Sequence, residues 1–194
     1  MILATIAIIG ARELGCRIAY AAARTGLRVI LEDISPENVE LGAARIARAL
    51  DEDDARGDCN TAERELTLSR ITTANSVEEA CREADLILET VPDEEEMKLE
   101  LFTIFDKFAR PGAILASTAK AVSIDDLADM TFCADRCVGM RFSGGTVGEE
   151  KIELVRGRAT SDETVRRCRE FGRRMGMEVT VLEDEKTISA SAGN

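Results

Sequence analysis

The feature that most constrains this chain lies in its first 33 residues. Thr5-Ile6-Ala7-Ile8-Ile9 is an apolar run of strand length that ends at Gly10, and a second glycine follows at Gly15. An Ala-rich helical pattern then leads to Gly26, and a second apolar run, Val29-Ile30-Leu31, closes on Glu32-Asp33. A strand apolar along its whole length is covered on both faces, as in a parallel sheet. The spacing predicts a strand at Thr5–Ile9, a tight turn, a helix at Leu14–Thr25 and a strand at Arg28–Asp33. That is the outline of a dinucleotide-binding βαβ unit, with phosphates at the helix N-terminus and the acid on the adenine ribose. The turn departs from the fingerprint once, at Arg12, where glycine would let the ligand approach the backbone. Two readings stand: the side chain crowds the pyrophosphate, or its guanidinium forks onto the phosphates and offsets the lost contact.

The rest of the chain repeats the alternation of short strands and longer helices. Ser35-Pro36-Glu37 reads as a helix start, with Ser at the N-cap and Pro at the first helical position. The polar stretch Asp51–Asn60 reads as a solvated helix end and loop. A short helix at Thr61–Leu68, a strand at Arg70–Thr73 and a helix opened by the capping box Ser76–Glu79 follow. Strands at Asp85–Glu89 and Ala113–Ser117 flank a helix at Asp93–Phe108 whose apolar stripe includes Leu101, Phe105 and Phe108. Beyond Leu127 the pattern changes. Strands at Arg136–Met140 and Lys151–Val155 enclose a Gly-rich loop, Ser143–Gly148, and are expected to form an antiparallel pair at one sheet edge. A helix at Ser161–Met175 and a strand at Met177–Val181 follow. These elements predict one Rossmann-like α/β domain over residues 1–182, doubly wound, with a mainly parallel sheet, an antiparallel edge and helices on both faces. Residues 183–194 read as a polar tail or a linker cut short.

Composition removes several function classes. A net charge of -12 over 194 residues argues against nucleic acid as a partner. No apolar run approaches the roughly 20 residues that span a bilayer, and the apolar start lacks the basic flank of a signal peptide. Six scattered cysteines without a CxxC pair suit reduced thiols in the cytoplasm, and no metal site is expected. The chain has no histidine, so the commonest general base near neutral pH is absent.

Several phrases together carry a resemblance. They are IIGA at 8–11, ADLILETVPDEEEMKLELF at 84–102, PGAILAST at 111–118, RCVGMRF at 136–142, KIELVRG at 151–157 and ATSDETV at 159–165. With the order of elements, they resemble the NAD-binding domain of the L-3-hydroxyacyl-CoA dehydrogenases, from Ile6 to Val181. The resemblance implies NAD as cofactor and an acyl-CoA or other acyl thioester as substrate. It also implies a helical C-terminal domain, absent from this sequence, that closes the cleft and dimerises, so that a homodimer is expected mainly where that domain is present.

Carried over residue by residue, the resemblance places Gly10, Arg12 and Gly15 at the phosphate fingerprint and Asp33 on the adenine ribose. An acid at that point favours NAD over NADP; capping the next helix is the alternative for Asp33. Thr90 and Val91 line the nicotinamide side, Asp93 stands where the family usually has Glu, and Lys98 matches a cofactor-contacting lysine. The substrate side has changed. The family's general-base histidine is Arg141, which holds its proton at neutral pH, while Glu153, twelve residues on, keeps the place of the glutamate that orients that base. Lys120 replaces a serine, Thr118 an asparagine, and Gly144 a second asparagine. The catalytic candidates are therefore Glu153, Arg141 and Lys120, with an Arg141–Glu153 salt bridge expected in place of the His–Glu pair. Three functions remain open: an oxidoreductase with altered proton handling, a non-catalytic nucleotide-binding or sensor module, and an assembly protein on a borrowed fold.

Overall fold

A computed structural model describes residues 3–144 and 151–183. Eight strands form one sheet: β1 (Thr5–Ile9), β2 (Arg28–Glu32), β3 (Ile71–Thr73), β4 (Leu86–Glu89), β5 (Ile114–Ser117), β6 (Cys137–Ser143), β7 (Lys151–Arg156) and β8 (Glu178–Glu183). Their spatial order is β3-β2-β1-β4-β5-β6-β7-β8. The order reverses at β1, between β2 and β4, which opens the crevice where ligands of open α/β sheets bind. All neighbours are parallel except β6 and β7. The antiparallel pair is thus one strand in from the edge, because β8 adds parallel to β7 outside it. β8 also runs one residue past the expected boundary at 182.

Seven helices cover the sheet among the described residues: α1 (Glu13–Arg24), α2 (Pro36–Arg56), α3 (Thr61–Leu68), α4 (Val77–Glu83), α5 (Glu95–Phe108), α6 (Ile124–Ala128) and α7 (Asp162–Arg174). Two apolar clusters fill the two faces. One joins Ile6, Ile8, Leu31 and Leu88 to α1, α2 and α7; the other joins Ala7, Ile9, Ile87 and Leu115 to α4, α5 and α6. None of these helices is long and apolar enough to cross a membrane.

The helix ends follow their local chemistry. Ser35, Ser76, Ser123 and Ser161 each accept a bond from the backbone N–H three residues on. The reciprocal capping box forms at Asn60–Glu63; at Ser76 the Glu79 carboxylate instead accepts from Asn75 N. The stretch expected to be a solvated helix end departs most from expectation. α2 continues to Arg56, and Asp53 is buried, accepting from the Tyr20 hydroxyl, Arg24 and Arg56. Those bonds tie the far end of α2 to α1, so an acidic run that looks solvated contains an interhelical anchor. Residues 145–148 of the Gly-rich loop and the tail from 184 lie outside the described residues.

Candidate functional site

The turn after β1 has no slack. Gly10 has φ +117°, a region closed to most side chains, and a Cβ there would stand 2.7 Å from Thr90 Oγ1. A Cβ on Gly15 would stand 1.9 Å from the carbonyl oxygen of Gly10. The two glycines therefore let α1 start directly over the end of β1. Thr90, just past β4, locks the same point: its hydroxyl donates to Gly10 O at 3.0 Å and its amide to Ile9 O at 2.8 Å. Arg12 caps α1 with φ -83° and no side-chain bond to the helix. Its backbone is one any residue adopts, and its side chain is exposed and makes no ion pair among the described residues. Glycine at that position would serve the ligand, not the fold.

Asp33, just past β2, ties this turn to the next helix. One carboxylate oxygen accepts from Ala11 N at 2.9 Å, and the other accepts from Ser35 N and Asn38 Nδ2, each at 3.0 Å. Asp33 thus holds the start of α2, as the capping alternative expects, and also fixes the turn after β1.

The last rung of the sheet carries an arrangement the sequence reading missed. Glu32 and Glu89 both pair in register with Ile9, and Glu89 pairs with Ser117. Paired residues of parallel neighbours share a face, so Glu32, Ile9, Glu89 and Ser117 form one row on the α4 and α5 side. Glu89 is fully buried, and Lys98 Nζ reaches both its oxygens at 2.7 Å while Ser117 Oγ donates to it at 2.6 Å. Burial pushes the Glu89 carboxyl above the usual carboxylate range; the Lys98 ammonium and the Ser117 hydroxyl work against that. Lys98 also donates to Val91 O at 3.3 Å and is itself fully buried, enclosed by groups of this chain. The available signal was an acid closing an apolar strand nine residues before a lysine.

The network extends to the turn after β5. Ser117 Oγ accepts from Ala119 N, and Asp93 Oδ2 accepts from the backbone amides of Lys120 and Ala121 at 3.1 and 2.9 Å. The turn between β5 and α6 is thus held by Asp93 from one side and by Ser117 from below, and Lys120 projects into solvent. An exposed lysine lacks the burial a lysine base requires.

Arg141 and Glu153 face each other directly across β6 and β7. The expected salt bridge between them does not form. Arg141 Nε donates to Ala119 O at 3.0 Å, so the guanidinium is drawn to the β5–α6 turn, which offers a fixed carbonyl. Glu153 is half-buried and makes no ion pair among the described residues. The structure therefore brings Lys120, Arg141 and Glu153 to one end of the sheet, with Arg141 leaning toward Lys120's loop.

Comparison with known proteins matches this geometry. The family model described as the NAD-binding domain of 3-hydroxyacyl-CoA dehydrogenase covers residues 5–185. A 3-hydroxybutyryl-CoA dehydrogenase of Bradyrhizobium diazoefficiens is 33% identical over 92% of this chain and 61% of the relative. A probable 3-hydroxybutyryl-CoA dehydrogenase of Bacillus subtilis is 31% identical over 92% of this chain and 62% of its own length. The crystal structure of (S)-3-hydroxybutyryl-CoA dehydrogenase from Ralstonia eutropha superimposes with a TM-score of 0.89 at 29% identity, covering 95% of this chain and 65% of that one. The chain spans about three fifths of the length of these curated relatives. It belongs to the 3-hydroxyacyl-CoA dehydrogenase family and comprises that family's NAD-binding domain.

Proposed function

We propose that this chain binds NAD along the β1, β2 and β4 ends and that the neighbouring β5–β7 ends receive an acyl thioester, with proton handling changed from that of a histidine base. The observation that carries the cofactor reading is the lock of Gly10, Gly15 and Thr90, which leaves the first amides of α1 free to face an anion. Asp33 keeps lone pairs for the adenine ribose diol while holding Ala11 N. The Arg12 guanidinium is free to fork onto the pyrophosphate, and we take that reading over crowding because its backbone is unstrained and its side chain unpaired. Val91 and Asp93 follow Thr90 on the nicotinamide side, and Lys98 acts there by fixing Val91 O and Glu89.

Bound NAD supplies a hydride acceptor, and the chain must then take the proton of the substrate hydroxyl. Lys120 and Arg141 are suited to polarise the substrate oxygen, and Glu153, opposite Arg141, is a carboxylate that can accept a proton. A second reading, a nucleotide-binding module without turnover, is favoured by one observation: Arg141 bonds Ala119 O and leaves Glu153 without the partner that would orient a base. NADH oxidation with acetoacetyl-CoA separates the two. Turnover that falls on Glu153→Gln supports the enzyme. NADH binding with no turnover, and none gained on Arg141→His, supports the module. Either activity is proposed of the whole protein, since this chain spans about three fifths of the length of its curated relatives.

A further inference from the structure

Two carboxyls flank Ile9 on the same rung of the sheet, and they are not treated alike. Glu89 has a buried lysine and a serine hydroxyl. Glu32, 3% exposed, has neither, and its Oε2 is buried without a hydrogen-bond partner among the described residues. Among the described residues, the groups that face it are acidic or neutral. Asp33 follows it in the chain, and from α4 come the Glu78 carboxylate and the Cys81 thiol. A buried carboxylate beside two others, with no cation, is costly to ionise.

Glu32 also sits at the cofactor end. Its carbonyl accepts from Gly10 N at 2.8 Å, and its neighbour Asp33 holds Ala11 N. A dinucleotide on this turn places its adenosine beside the end of β2, brings phosphate charge nearer and excludes more water. Each change disfavours the Glu32 carboxylate further.

We propose that Glu32 couples cofactor binding to protonation: NAD(H) binds the form of the chain in which the Glu32 carboxyl is neutral, and binding takes up a proton when that group starts ionised. This rests on the cofactor reading above and makes Glu32 a positioning residue. Burial, with Asp33 and Glu78, holds its carboxyl at about 7 in the free chain, so the linkage falls near neutrality. Because binding raises it further, affinity is full below that value and is lost as pH rises through it, by at most about tenfold per pH unit for one proton. No histidine titrates in the same range to blur the profile.

The test is calorimetric titration of the chain with NADH from pH 6 to 9, each point in two buffers of different ionisation enthalpy. The expected result is tight binding at pH 6, weakening above pH 7, with a fraction of a proton taken up. Glu32→Gln should bind with a flat profile and no uptake, and Glu78→Gln should shift the fall to lower pH. A flat wild-type profile, or an unchanged slope in Glu32→Gln, overturns the proposal. Absence of NADH binding at every pH in the wild type removes the cofactor reading itself, and this proposal with it.

Discussion

The two halves of the crevice are held in different ways. On the cofactor side, Gly10, Gly15 and Thr90 interlock so tightly that a single added carbon meets backbone, and Asp33 ties the turn to the next helix. At the β5–β7 ends the register sets Arg141 opposite Glu153, but the two side chains do not pair, and Arg141 bonds Ala119 O instead. Backbone packing resists change because it has no cheap alternative. A half-exposed polar position such as Arg141 can be exchanged without disturbing the sheet.

Lys98→Met probes the joint between the halves and should have the largest effect. It leaves Glu89 buried without its cation, at a cost of about 3–5 kcal/mol. Urea unfolding should show this loss, and adding Glu89→Gln should recover part of it. Next comes Gly15→Ala, expected to cost about 3 kcal/mol because Gly10 O must move, and to abolish NADH binding. Arg141→Ala, on the substrate side, should stay within about 1 kcal/mol of wild type in the same experiment. Equal losses for these last two would erase the contrast.

Glu32→Gln should give a smaller effect of opposite sign. The carboxyl is raised from an ordinary 4.5 to about 7 by burial, Asp33 and Glu78. Its neutral form therefore contributes stability that is present below about 4.5 and lost as pH rises through about 7. Gln keeps the neutral form at every pH. The variant should match wild type at pH 4.5 and exceed it at pH 8.5 by about 1–3 kcal/mol. The smallest expected change is Arg12→Gly, which should weaken NADH binding by about 3–5-fold, or roughly 0.7–1 kcal/mol, and reduce its salt dependence.

What could be read in the sequence was whatever leaves a local pattern. The strand–turn–helix–strand start, the alternation that gives a parallel sheet, and the pairing of Arg136–Met140 with Lys151–Val155 all rest on apolar periodicity and turn residues. The position of β8 outside β7 is a long-range pairing and left no such mark. Asp53 in its acidic run reads as solvated because burial depends on Tyr20 and Arg24, 33 and 29 residues away. The Arg141–Glu153 bridge is an expectation of the resemblance, and the register does bring the two together. The bond went instead to Ala119 O, a backbone partner no side-chain pattern reveals. Glu32 and Glu89 each close an apolar strand in the same way, and what separates the paired acid from the unpaired one is Lys98 of α5 and Ser117 of β5.

The central claim is that the cofactor half works as a dinucleotide site whatever has become of the substrate half. Titration with NADH at moderate salt and pH 6.5, with NADPH and Asp33→Ala as controls, tests it most directly. Saturable NADH binding that weakens in Asp33→Ala, with NADPH weaker than NADH, is the predicted result. No heat and no thermal shift at millimolar NADH would contradict the account and mean that Arg12 closes the turn to the pyrophosphate.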